Sequence, residues 1–321
     1  MKATAVAHPI QGLLKYHGMR DDALRLPYHD SISVCTAPSH TRTTASFEPD
    51  ANQDVFVVGG ERLEGRAAER VSSVVDRVCT IAERDDPVRL ESENDFPTNV
   101  GLGSSSSGFA AAAMALAGAA DLELTLPEIS TIARLGSASA ARAVTGAFSQ
   151  LDAGLNDEDC RSHRIETDLE DELQIVVGLV PAYKETEAAH REAADSHMFQ
   201  ARLAHIHDQL VELRDALRSG DFDRTFELAE HDSLSLAATT MTGPAAWIYW
   251  QPATLAIFDV VRELREEGVP AYFSTDTGAT VYVNTTDEHA DRVEEAIAAC
   301  DVETLRWEVG GPARLVDDHL F

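Results

Sequence analysis

Residues 97–108 read Pro-Thr-Asn-Val-Gly-Leu-Gly-Ser-Ser-Ser-Ser-Gly and lead directly into an alanine-rich stretch, residues 109–120, of strong helix propensity. A strand-like run at 88–91 and a polar turn at Asn94-Asp95 come before them. Strand, small-residue loop and helix in immediate succession leave the chain few options. Small residues let the backbone approach a ligand closely, and a helix that starts at the serines directs its free N–H groups and positive dipole end at an anion. Phosphate is the natural guest. The plain alternative is a flexible serine-rich linker, although linkers rarely feed straight into an apolar helix. No Gly-Lys-[Ser/Thr] follows, so the loop is not of the Walker kind.

The 321-residue chain has apolar content enough for one large domain or two ordinary ones. A formal charge of −29 argues against nucleic acid or an anionic membrane surface as partner. Only Lys2, Lys15 and Lys184 are lysine among 26 basic residues. Such a chain suits a salt-saturated cytoplasm, where carboxylates stay hydrated and their repulsion is screened; an ordinary acidic protein is the alternative. Cys35, Cys79, Cys160 and Cys300 are scattered without a Cys-x-x-Cys pair, which points away from zinc and disulfides and fits a reducing compartment. No apolar run of about eighteen residues and no signal-peptide pattern occur, so a cytoplasmic protein is expected.

Alternation predicts strands at 3–6, 32–35, 42–47 and 55–58, and the spacing of Leu63, Ala67, Val71, Val74, Val75, Val78 and Ile81 predicts a helix over 62–83. A helix at 126–135 and a second small-residue segment at 136–146 follow the glycine–serine loop. The acidic stretch 152–172 reads as a surface connection, and the expected domains are 1–170 and 171–321. The second comprises a continuous apolar strand at 173–180, helices at 187–219, 222–238 and 252–267, strands at 271–274 and 279–283, a helix at 288–300 and a strand at 304–309. This order suggests an α+β sandwich with an antiparallel sheet.

Several residues stand out against that background. Lys15, in the apolar setting Leu13-Leu14-Lys15-Tyr16, is a rare lysine suited to phosphate or to perturbing a carboxylate, unless it survives by chance. Asp276, in Ser274-Thr275-Asp276-Thr277-Gly278, is either a turn residue bonded to its own backbone or an acid/base group at a strand end. Ser137, Ser139 and Arg142 fall within about one and a half helical turns, and the arginine fork matches carboxylate or phosphate; a solvated helix face is the alternative. His190, His197, His205 and His207 lack the pairing a zinc site needs. His17 is of interest as a neighbour of Lys15. No Gly-x-Ser-x-Gly elbow or dinucleotide fingerprint is present.

Taken together, these pieces resemble the GHMP kinase superfamily, and within it the diphosphomevalonate/phosphomevalonate decarboxylase branch. Residues 14–33, with Lys15-Tyr16-His17-Gly18-Met19-Arg20-Asp21 and then Leu26-Pro27-Tyr28-His29-Asp30-Ser31, are similar to that family's KYWGKRD … LPxNSSxS signature. Residues 95–105 resemble its NFPTAAGLASS loop, 137–142 its SGSACR, and 274–278 the turn FDAGPN. The resemblance implies an N-terminal β/α domain like domain 2 of ribosomal protein S5 and a C-terminal ferredoxin-like sandwich. It also implies an ATP-dependent decarboxylase in which ATP phosphorylates a tertiary hydroxyl and loss of phosphate and CO2 leaves an alkene. On this analogy Asp276 orients or deprotonates the hydroxyl, Lys15 neutralises charge nearby, and Arg142 holds the departing carboxylate. Tyr16, His17, Ser137 and Ser139 bind the 5-phosphate end of a phosphorylated mevalonate. Pro97, Gly101, Leu102, Gly103, Ser104, Ser105 and Ser106 wrap the ATP phosphates, with Ser105 toward Mg2+. A homodimer is implied by relatives alone.

The departures are informative. Met19 stands where the family has a second lysine, His17 where it has tryptophan, and Ile10 where it has asparagine, with Gln11 alongside; Gly278-Ala279-Thr280 replaces the end of the aspartate turn. Losing a charge-assisted bond at Met19 weakens anion binding by roughly 1.5–3 kcal/mol, tolerable for a substrate with one phosphate rather than two. The expected substrate is therefore mevalonate 5-phosphate, giving isopentenyl phosphate. The 5-diphosphate, a plain kinase reaction without CO2 release, and a non-catalytic ligand sensor are the alternatives.

Overall fold

The structure, a computed structural model, describes residues 1–97, 101–181 and 192–321. Thr98, Asn99 and Val100 of the glycine–serine loop, Lys184, His190 and residues 187–191 of the helix expected from 187 lie outside the described residues.

The fold is α+β. In the first sheet, strands Lys2–Ala7 and Thr41–Phe47 pair antiparallel with Ala3 opposite Ala45, and Val88–Asn94 pairs on the far side of Thr41–Phe47. Helix Ser104–Ala119 lies against Lys2–Ala7 and Thr41–Phe47, and its alanines from Ala110 to Ala113, with Ala115, Ala117 and Ala119, are buried. A helix apolar all round belongs in an interior rather than on a surface. Helices Gly65–Ala82, Leu126–Gly136 and Ala140–Thr145 pack around it.

In the second sheet, Leu173–Leu179 lies between Glu303–Val309 and Val281–Thr286, with Tyr272–Ser274 beyond. Side chains alternate faces along a strand. Ile175 and Val177 accordingly meet Leu210, Leu213 and Phe226 of helices Phe199–Ser219 and Phe222–Met241, whereas Val176 meets Ile257, Val261 and Val293 of Pro252–Glu266 and Ala290–Ala298. Both faces are covered, which is why this strand reads as an unbroken apolar run.

The halves on either side of residue 170 share strands. Glu308 and Val309 pair with Ala37 and Thr36 of strand Ser31–Ala37, and Arg314–Val316 pairs with Lys2–Ala7.

Two expectations need correction. Strand Ile10–Leu14 was not expected: Gln11 and Gly12 interrupt any alternation, yet all five residues are buried because the strand pairs with Ser31–Ala37 under helix Phe222–Met241. The stretch 152–172 is more than a surface connection. It contains strand Ser162–Arg164, and Cys160, Ser162 and Leu169 are buried. The fully buried Arg134 holds it, donating to the Cys160 carbonyl at 3.1 Å and to the Asp157 carboxylate. No helix among the described residues is long and apolar enough to cross a membrane.

Candidate active site

Where the sheets meet helix Ser104–Ala119, a cleft of about 290 Å³ opens. Its described lining includes Lys15, Arg25, Arg70 and Arg142 as cations and Asp276 as the one carboxylate. Four cations against one carboxylate, in a chain of net charge −29, make the cleft a local reversal of the protein's sign. Anions are what such a cleft concentrates.

Lys15 follows the end of strand Ile10–Leu14 and is buried. Its Nζ donates to Ser233 Oγ and Ser274 Oγ, each at 3.1 Å, and to the Leu13 carbonyl at 3.3 Å, and lies 3.6 Å from an Asp232 carboxylate oxygen. Asp232 also accepts from the Lys15 backbone N–H at 2.9 Å. The buried Arg202 donates to the other Asp232 oxygen at 2.8 Å and to the Lys15 carbonyl at 2.6 Å. Burial lowers the Lys15 pKa from its ordinary value, while Asp232 and then Asp276 act in the opposite sense.

Asp276 sits in the turn between Tyr272–Ser274 and Val281–Thr286, where the Gly278 N–H donates to its carbonyl at 2.9 Å. The Lys15 and Asp276 side chains converge over Gly12. A Cβ added at Gly12 would lie 2.7 Å from Lys15 Cγ and 2.8 Å from Asp276 Oδ1. That glycine is therefore required by close approach, and it brings an ammonium and a carboxylate to one wall of the cleft.

Arg142 projects from the short helix Ala140–Thr145 with its guanidinium 5.4 Å from the Tyr16 ring centroid. It is 2 % exposed, and among the described residues its Nε and Nη1 have no hydrogen-bond partner. Burial lowers its pKa, with Tyr16 and Asp276 opposing. Unmade charged hydrogen bonds in an interior are costly, so an anion at this guanidinium would be favoured. Tyr16 and Ser139 hydroxyls lie 3.1 Å apart, and Ser137 lines the same wall.

On the opposite wall, Gly103 is the N-cap of helix Ser104–Ala119 with φ 74°, the left-handed region glycine occupies without strain. Ser106 returns N–H and Oγ hydrogen bonds to the Gly103 carbonyl at 2.8 and 2.6 Å, and Tyr282 Oη donates to the Gly101 carbonyl at 2.7 Å. Gly101, Leu102, Gly103, Ser104, Ser105 and Ser106 line the cleft at this helix N-terminus, the end whose first amides lack intrahelical partners and favour anions.

The structure brings together Asp276, Lys15, Arg142, Tyr16, Ser137, Ser139 and residues 101–106. His17 is fully buried and is not among the lining residues; Pro97 is exposed and is not among them either. His197, His205 and His207 are exposed on a polar helix face or its approach. Sequence reasoning missed Gly12, Arg25, Arg70, Arg202 and Asp232. Only Asp232 carried a signal: it falls midway between Leu228 and Leu236 at four-residue spacing, on a buried helix face.

A helix N-terminus, four cations and a carboxylate around one cleft define a phosphoryl-transfer site, since that chemistry asks mainly for positioning and charge compensation. Comparison with known proteins agrees. Residues 7–162 match the diphosphomevalonate decarboxylase-like N-terminal domain. The chain is 73% identical to the phosphomevalonate decarboxylase of Haloferax volcanii over 99% of its own length and 98% of that protein's. The mevalonate diphosphate decarboxylase structure from Staphylococcus aureus superposes with a TM-score of 0.94 at 28% identity, covering 98% of each chain. A structure of MDDEF in complex with MVAPP, AMPPCP and magnesium gives 0.92 at 28% identity over 99% of each. The chain belongs to the diphosphomevalonate decarboxylase family, within the GHMP kinase superfamily.

Proposed function

We propose that the protein catalyses the ATP-dependent decarboxylation of mevalonate 5-phosphate to isopentenyl phosphate, releasing ADP, phosphate and CO2. The observation that carries this reading is the juxtaposition of Asp276 and Lys15 over Gly12 with the unpartnered Nε and Nη1 of buried Arg142 in the same cleft. Asp276 accepts the proton of the 3-hydroxyl as its oxygen attacks the γ-phosphorus and ADP leaves. The C3–O bond then breaks with the phosphate, the C1–C2 bond breaks with CO2, and the C1–C2 electron pair becomes the C2–C3 double bond. Lys15 offsets the charge on the reacting oxygen, and Arg142 holds the carboxylate in line for departure. The amides of residues 103–105 take the nucleotide phosphates. When bound with the nucleotide, Mg2+ would be held by the phosphates and the exposed Ser105 hydroxyl and would supply charge neutralisation.

The preference for one phosphate rests on Met19, which lines the cleft as an uncharged side chain, and on the likeness to the Haloferax protein. Turnover of the 5-phosphate and the 5-diphosphate, side by side in molar KCl with ATP and Mg2+, tests it. Higher kcat/KM on the monophosphate is expected; preference for the diphosphate would overturn the substrate assignment, and ADP without CO2 the reaction.

Gly12→Ala is expected to lower kcat by about 100-fold, because a displacement near 1 Å of reacting groups costs that much. Kinetics at saturating substrate check it. A rate near wild type would mean that Lys15 and Asp276 need not approach one another.

A further inference from the structure

The cleft is lined by the uncharged Met19, where the resembled signature has a lysine, and by Arg25. Strands Met19–Asp21 and Leu26–Pro27 form a small ribbon, and Arg25 occupies its turn at φ 51°, a left-handed conformation that a long side chain adopts only at a cost. The turn is braced from both ends. Asp21 Oδ1 accepts from the Leu24 N–H at 2.8 Å, and buried Arg134 donates to the Leu24 carbonyl. Arg20 donates to the Pro27, Ala153 and Gly154 carbonyls at 3.1, 2.7 and 2.8 Å.

From this braced turn the half-buried Arg25 reaches the end of helix Leu126–Gly136, where its Nε donates to the Leu135 carbonyl at 2.8 Å. Arg70 is fixed on the next carbonyl, Gly136, at 3.0 and 2.7 Å. Carbonyls of a final helical turn lack intrahelical partners, and cations complement that end of the dipole. The same anchoring sets Arg25 in the cleft wall just before Ser137 and Ser139. A guanidinium is a planar, directional donor, which suits phosphate oxygens better than a mobile point charge does.

We propose that Arg25 is a specificity-determining residue that grips the 5-phosphate of the substrate from the ribbon turn, beside an uncharged Met19 that leaves no second cation there for a further phosphate. This deepens the functional reading above and rests on it for the identity of the ligand. The backbone strain is tolerated because the braced turn sets the guanidinium in the cleft wall.

The test uses Arg25→Asn, since asparagine tolerates the left-handed conformation and keeps the turn, with Arg25→Lys as the charge-retaining control. Affinity for mevalonate 5-phosphate is measured by calorimetry on the full chain in molar KCl with a non-hydrolysable ATP analogue and Mg2+; KM and kcat are measured in parallel. Loss of a charge-assisted contact predicts a rise of about 10- to 150-fold in Kd and KM for the phosphorylated substrate. The KM for ATP, kcat at saturation and the melting temperature should remain near wild type, and Arg25→Lys should recover part of the loss. An unchanged Kd in Arg25→Asn overturns the proposal, as does a loss shared equally by ATP or matched by a fall in melting temperature. Wild-type protein that binds the monophosphate but releases no CO2 would sink the functional reading and leave this binding result standing. Wild type that fails to bind it would sink both.

Discussion

Asp276→Asn is expected to reduce CO2 release by about 10²–10⁴-fold, the usual range for removing a positioned general base, while leaving nucleotide affinity close to wild type. Asparagine matches the carboxylate in shape, so the close packing of Asp276 against Gly12 and Lys15 is preserved, while the ability to accept a proton and the negative charge beside Lys15 are lost. ADP and CO2 should fall together, because both depend on phosphorylation of the same hydroxyl. Single-turnover kinetics with equilibrium titration of ATP separates chemistry from binding. A rate within tenfold of wild type would remove Asp276 from the proton transfer and leave it as a turn residue.

The second large effect lies one shell away from the reacting atoms. Asp232→Asn is expected to cost about 3–5 kcal/mol of stability, since breaking a buried ion pair leaves charge without compensation. Here Arg202 and Lys15 both depend on that carboxylate. The variant should also move the alkaline limb of kcat/KM. Burial favours neutral Lys15, and Asp232 is the largest influence favouring its charged form. Without the Asp232 charge the ammonium loses its proton at lower pH, so the limb shifts toward lower pH than in wild type. Thermal unfolding and a pH–rate profile in molar KCl read the two effects separately. A melting point and a limb both indistinguishable from wild type would show that Asp232 does not hold Lys15 in its working state.

What the chain discloses before folding follows a physical pattern. Val55–Val58 and helix Leu126–Gly136 fall within a residue of expectation, because alternation and helical spacing are local properties. The glycine–serine loop, Lys15, Asp276 and Arg142 were legible because each breaks a local rule: a rare lysine among apolar neighbours, a carboxylate between strands, a guanidinium among alanines. Arg25, Arg70 and Arg202 offered no such contrast, since arginine supplies nearly all the positive charge of this chain. Their positions depend on which helix end or carboxylate tertiary packing brings near. Strand Ile10–Leu14 escaped for a related reason: its neighbours on both faces, not its own pattern, decide that every residue is buried.

The sharing of strands between the halves governs how the chain can be made. Glu303–Val309 inserts between Ser31–Ala37 and Leu173–Leu179, and Arg314–Val316 covers the outer side of Lys2–Ala7. During synthesis these strands leave the ribosome more than 250 residues after their partners Ser31–Ala37 and Lys2–Ala7. Until then the sheets of the nascent chain carry open edges, each a template for pairing with another chain. Contacts this distant in sequence also form slowly. Completion of both sheets is thus a late event, and the interval before it is when this protein is most exposed to aggregation.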